Sequence, residues 1–173
     1  MERVERVLED PFYRECLACN ADRESGRIFC RHDFQHMLDV ARIAYIMVLE
    51  ACEPERIADS CNLASLPALR EAVYAAGLVH DIARWIQYDT GEDHALAGAR
   101  LAGPLLVRAG FNTVEVGLVT SAVREHRSSA EKTTLLGKIL CLADDLSRPC
   151  GRCAVKGECY KFAKKEVRPP LLY

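Results

Sequence analysis

Along most of the 173-residue chain, apolar residues return at intervals of three and four, the spacing that lines one face of an α-helix. A first helix is predicted from Glu2 to about Asn20, interrupted or restarted near Pro11, with Ser25-Gly26 marking the break after it. The next, from about Arg31 to Cys52, puts Met37, Val40, Ala41, Ala44, Met47 and Val48 on one stripe, and Pro54 closes it. Pro67 opens a third as an N1 proline, running through about Gln87 to a turn at Asp89-Thr90-Gly91. A fourth runs from Glu92 to about Ala109, kinked at Pro104 and capped by Gly110. Asn112 caps a fifth through about His126, and Glu131 to Arg148 reads as a sixth. The expected architecture is all-α: one helical-bundle domain of about six helices over residues 1–148, with a partly irregular tail, 149–173, packed on it.

Polar groups interrupt these apolar stripes at a few places. His36 shares a face with Val40, Ile43 and Met47, and His80 follows Val73 and Ala76 at the same offsets, with Asp81 beside it. His126 stacks over Val119, Ala122 and Val123, and Asp144 over Gly137, Leu140 and Cys141. His94 heads the small-residue face that contains Ala97 and Gly98. A single buried histidine is ordinarily a hydrogen-bonded core residue, and a lone His-Asp pair is common, so the weight lies in the joint pattern. Buried charges are paired or metal-bound. Four imidazoles and two carboxylates aimed into one bundle call for a cation, and this donor set suits a transition metal held between facing helices.

Composition narrows the setting. Half the residues are apolar and 7% aromatic, with few Gly and Pro, which favours helices over a turn-rich β-fold. A formal charge of −2 and a pI near 6.2 give no overall field for nucleic acid or a membrane surface. The basic residues Arg152, Lys156, Lys161, Lys164, Lys165 and Arg168 are gathered in the tail, most simply as a solvated extension. The charged N-terminal stretch lacks the apolar core of a signal peptide, so a cytoplasmic protein without a membrane partner is expected. Nine cysteines there are not a disulfide framework.

Three segments resemble, in order, the HD superfamily of metal-dependent phosphohydrolases. "RHDFQHMLDVARIA" is similar to the family's first-histidine helix, "AAGLVHDIARW" to its His-Asp helix and "KILCLADDLSR" to its closing helix. The resemblance implies an HD-domain bundle with His36, His80, Asp81 and Asp144 as metal ligands. "EDHALAGARLA" and "AVREHR" offer His94 and His126 where the two-metal branch carries two further histidines, an arrangement similar to bacterial dinucleoside-polyphosphate hydrolases. Asp81 would then bridge two ions. The implied cofactors are one or two divalent transition-metal ions (Fe, Mn, Zn, Co or Ni, less readily Mg).

The implied activity is hydrolysis of a phosphate ester or anhydride in a nucleotide-like small molecule, Asp81 and Arg84 being the catalytic candidates. Arg84, one turn beyond His80, Arg127, beside His126, and Arg148, one turn beyond Asp144, are candidates for substrate phosphate. The plain alternative for each arginine is a surface ion pair. Relatives that use a di-iron centre for oxidation, and a non-catalytic regulatory or nucleic-acid-binding module, are the alternative functions. His32 matches no ligand position and is read as a helix-end or supporting group, and Asp145 departs from the basic residue found there in many relatives.

The tail carries Cys150, Cys153 and Cys159 with the spacing Cys-x2-Cys-x5-Cys. Zinc or an iron–sulfur cluster needs a fourth ligand, from Cys30 or from the Cys16-x2-Cys19 pair. The spacing is similar to the last three cysteines of the cluster loop in endonuclease III-type DNA glycosylases, whose first cysteine would fall near Asp144 and is absent. Unpaired thiols in a mobile tail are the alternative. Cys52, Cys61 and Cys141 read as small core residues.

Overall fold

A computed structural model describes residues 1–51, 54–127 and 133–163. Its first two helices, α1 (Glu2–Glu9) and α2 (Pro11–Arg23), meet at Asp10, whose extended backbone breaks the first. The Asp10 carboxylate accepts from Phe12 N and so caps the second helix, with Pro11 at its start. α3 (Phe34–Glu50) starts three residues later than its periodicity suggests, because Asp33 caps it by accepting from His36 N at 2.9 Å. Pro54 does more than close this helix: it opens α4 (Pro54–Ser60), an element the apolar pattern did not reveal. Cys52, at the predicted end of α3, lies outside the described residues.

The predicted helix from Pro67 to Gln87 is two helices. Ser65 caps α5 (Leu66–Val79), which ends before His80, and α6 (Arg84–Thr90) begins after a turn, so Asp89 and Thr90 are helical. Gly91 then takes a left-handed φ of 80° as the C-cap. The break has a visible cause. A continuous helix would bond Trp85 N to Asp81 O, but buried Asn20 of α2 places its side-chain amide between them. Asn20 Nδ2 donates to Asp81 O at 2.9 Å, and Asn20 Oδ1 accepts from Trp85 N at 2.8 Å.

α7 (His94–Ala109), capped by Asp93, continues through Pro104 to Gly110, whose φ of 93° is the left-handed stop expected there. α8 (Thr113–Glu125) opens on a reciprocal capping box between Asn112 and Glu115. α9 (Leu135–Leu146) is capped by Thr134, and the predicted start at Glu131 lies outside the described residues. Two 3-10 turns, Cys150–Arg152 and Lys156–Glu158, and a short α10 (Tyr160–Ala163) follow. The described residues are all-α, with ten α-helices in place of about six: the first predicted helix is the pair α1 and α2, the pattern ran α5 into α6, and it missed α4 and α10.

α3 packs on α5 and α9, α5 on α8, and α7 on α8, around Met37, Val40, Leu78, Ile82, Leu105, Leu140 and their neighbours. At the α3–α5 contact the backbones nearly touch, since a Cβ on Gly77 would lie 2.6 Å from Ala41 Cβ. Arg3 ties α1 across the bundle, meeting Glu71 at 2.6 Å and buried Glu115 at 2.5 Å. Among the described residues, no helix is long and apolar enough to cross a membrane.

Candidate metal centre

Asp81 sits in the turn between α5 and α6, and its two carboxylate oxygens face different neighbours. Oδ2 lies 3.3 Å from His80 Nε2, 3.8 Å from His36 Nε2 and 3.7 Å from His32 Nε2. Oδ1 lies 2.9 Å from His94 Nε2 and 3.6 Å from His126 Nε2. Asp144 of α9 completes the first group, with Oδ1 3.2 Å from His36 Nε2 and 3.9 Å from His80 Nε2. Two sets therefore have all their ligand atoms within 4.8 Å of one another: His36, His80, Asp81 and Asp144, and Asp81, His94 and His126. The six residues singled out from periodicity meet at one point.

Each ring is held from behind. His80 Nδ1 and His126 Nδ1 donate to the carbonyls of Gly77 and Val123, at 2.7 and 2.6 Å, which leaves both Nε2 atoms facing inward. His36 Nδ1 meets Ser147 Oγ at 3.2 Å, and His94 Nδ1 meets Gln87 Oε1 at 2.5 Å. His32 Nδ1 lies 2.5 Å from Oε1 of buried Glu24, which also accepts from Tyr88 Oη, while Glu24 Oε2 accepts from His32 N. Such outer contacts fix tautomer and orientation around metal sites.

The centre fits a cation on its own chemistry. Nε2 of His36, Nε2 of His80 and Oδ1 of Asp81 are buried, and no hydrogen bond satisfies them. A buried polar atom without a partner is costly, and three converging ones are explained by a shared electrophile. Electrostatics agree. Burial raises the Asp81 pKa, yet the surrounding imidazoles, His80 foremost, hold it well below the usual carboxylate range. Burial likewise works against Asp144, but the Arg148 guanidinium overrides it and keeps the carboxylate charged. His36, although desolvated, is pushed up to about 9 by Asp144 and Asp81. Despite burial, His126 is raised as well, by Asp81, whereas burial holds His32 and His94 down.

A cavity of about 640 Å³ opens over the centre and is lined by Arg27, Arg84, Arg127, Arg148 and Lys161 as well as the acids. Arg84 reaches it differently from the sequence reading. It is not one turn beyond His80 on a continuous face, because the helix stops at Val79; as the first residue of α6 it puts Nη1 3.0 Å from His94 Nδ1. Among the described residues no carboxylate pairs with Arg84, and its Nε is buried without a hydrogen bond. Arg127 is instead engaged by Asp93 at 2.5 Å on the surface, and Arg148 by Asp144 at 2.6 Å. Lys161 of α10 takes Asp145 at 3.0 Å.

Helical periodicity missed the Glu24–His32–Tyr88 cluster, Gln87, Arg27 and Lys161. Most of these lie in irregular segments or on helices too short for a period. His32, read from the sequence as a helix-end or supporting group, does stand ahead of α3 and is buried beside Asp81. Of the cysteines, Cys30 Sγ lies 2.9 Å from Arg148 Nη1, and Cys30 and Cys159 both line the cavity. Cys16 is instead buried in the core on α2, and no cysteine belongs to either group of converging ligands. Cys61 and Cys141 are half-buried.

Comparison with known proteins agrees with this geometry. The HD domain family matches residues 33–148. An uncharacterized protein of Clostridium beijerinckii is 30% identical over 159 residues, covering 92% of each chain. Bifunctional uridylyltransferase/uridylyl-removing enzymes are similar over 60 residues, 40% identical in Nitrobacter winogradskyi and 42% in Rhodopseudomonas palustris. That segment is 35% of this chain and only 6% of those proteins. No solved structure matches the chain. With the family matched over most of its length and the His/Asp cluster at its centre, the chain belongs to the HD domain family.

Proposed function

We propose that this protein is a metal-dependent phosphohydrolase that cleaves a phosphate ester or anhydride of a nucleotide-like small molecule. One observation carries the reading: a single buried carboxylate turns one oxygen to each of two ligand groups, under a cavity walled by cations. His36, His80, Asp81 and Asp144 would hold one ion, and His94 and His126, with Asp81 shared, a second. Iron, manganese, zinc, cobalt or nickel suits these donors better than magnesium. When bound, such ions supply Lewis acidity toward a phosphoryl oxygen and water activated near neutral pH.

The chain's own residues supply the rest. Arg84, free of any carboxylate partner among the described residues, is placed over His94 to receive a phosphoryl oxygen and offset charge that develops there. Arg27 stands at the same cavity, donating to Cys30 O at 2.9 Å, and extends its cationic wall. Arg148 keeps Asp144 charged and aimed at His36. The uridylyl-removing activity in the names of the short-segment relatives is cleavage of a nucleotide phosphoester, which favours the same reaction class.

The test is turnover. Protein loaded with manganese or iron, offered a panel of nucleotides, dinucleoside polyphosphates and generic phosphate esters, is expected to release phosphate or nucleotide from at least one class. A fully metallated protein that leaves the whole panel intact would overturn the proposal.

A further inference from the structure

Cys30 and Cys159, far apart in the chain, line one cavity, and Cys150 and Cys153 lie in the turn that leads from α9 toward Cys159. Cys30 precedes α3, while Cys150, Cys153 and Cys159 follow α9. Cys150 opens the first 3-10 turn and Cys153 closes it, donating its N–H to Cys150 O at 3.2 Å; Cys159 closes the second by donating to Lys156 O. Arg148 joins the two regions, with Nη1 on Cys30 Sγ and Nη2 on Asp144. We propose that Cys30, Cys150, Cys153 and Cys159 hold an iron–sulfur cluster, a second metal site separate from Asp81, which fastens the tail beside the cavity.

Three observations support this assignment. First, neither 3-10 turn contains a buried side chain, so the described turns that carry these cysteines have no apolar core of their own to order them. Metal ligation fixes such segments by coupling binding to folding. Second, distant thiols are brought to one place: Arg148, two residues before Cys150, reaches Cys30 Sγ at 2.9 Å, and Cys30 and Cys159 line the same cavity. Third, the four thiols are not drawn together as tightly as the His/Asp ligands are. Zinc draws thiolates in to about 2.3 Å, which packs the sulfurs close together, yet none of the four belongs to a group of ligand atoms within 4.8 Å. A four-iron core holds its four thiolates farther apart. Of the Cys16–Cys19 pair, the other source of a fourth ligand, Cys16 is sealed in the core with its thiol pushed up to about 11 by burial, and Cys19 is half-buried on the same helix.

The deciding experiment measures iron and acid-labile sulfide in the full chain, purified without oxygen or reconstituted with ferrous iron and sulfide. The expected result is about four sulfides per chain with a brown visible absorption. These should be lost in C150S/C153S and in C30S, kept in C61S, and kept in D81A, whose lesion is in the His/Asp centre. Iron held by histidine and aspartate brings no sulfide, so failure here is distinguishable from failure of the phosphohydrolase reading. Sulfide absent from the wild-type chain, sulfide retained after loss of these thiols, or zinc bound by them in its place would each overturn the proposal. Circular dichroism checks that the variants fold, and the wild-type sulfide content decides even if they do not.

Discussion

The two sides of Asp81 differ a little in burial and a great deal in charge. On the Oδ2 side, His36 and His80 are joined by a second carboxylate, Asp144, which Arg148 keeps ionised and Ser147 helps to frame through its contacts with His36 and the Asp144 carbonyl. On the Oδ1 side, His94 and His126 have only the shared carboxylate, and the nearest cation is Arg84. The larger difference lies in charge, since His80, His94 and His126 are almost wholly enclosed and the His36 and Asp144 side chains are only 8% and 13% exposed. A divalent ion is neutralised more fully on the first side. That side should load first and hold tighter, and the second should be the place where an ion is exchanged or shared with substrate.

The most severe way to break this asymmetry is to remove what both sides share. Asp81→Ala should empty both positions in elemental analysis and lower turnover by on the order of 10³-fold or more; unchanged metal content with full activity would remove the centre from the mechanism. The next comparison separates the sides. Asp144→Asn should abolish tight binding of manganese in calorimetric titration, whereas His126→Ala should leave one tight ion per chain and lose only the weaker one. Equal losses in the two variants would mean that the carboxylate count does not set the order.

A smaller effect concerns the support behind Oδ2. Despite burial, His32 and Tyr88 hold the Glu24 carboxyl at about 2, below its ordinary 4.5. A lowered folded pKa contributes stability that is present above the unfolded value and lost as pH falls from about 4.5 toward 2. The contribution is up to about 3 kcal/mol, so urea midpoints should fall across that window in the wild type and change less in Glu24→Gln. Smallest of all is Arg127→Ala. Its exposed pair with Asp93 is worth at most about 1 kcal/mol, so the melting temperature should barely move. A raised KM in that variant would add Arg127 to the substrate's contacts, and an unchanged KM would leave it a surface ion pair.

Apolar periodicity was sufficient to find the inward faces of α3, α5, α8 and α9, because the stripes that build the core also aim His36, His80, His126 and Asp144. It failed where distant residues intervene. Asn20 cuts the helix after Val79 from about sixty positions upstream, so Arg84 reaches the cavity by a route that no local spacing encodes. Glu24 and His32 stand beyond the end of α2 and ahead of α3, where the chain has no period, and their pairing needed coordinates. α4 is a single two-turn segment, too short for a stripe to register.

Gly77 gives the centre a vulnerability that carries no functional group. Because α5 rests almost bare against Ala41 of α3, the separation of the helices that bear His36 and His80 is set like a shim, by the thickness of one missing methyl. Screens for inactivating variants should therefore recover residue 77 as readily as the ligands. A chain altered there would have every donor intact but standing too far apart, and a larger ion should restore what a smaller one no longer spans.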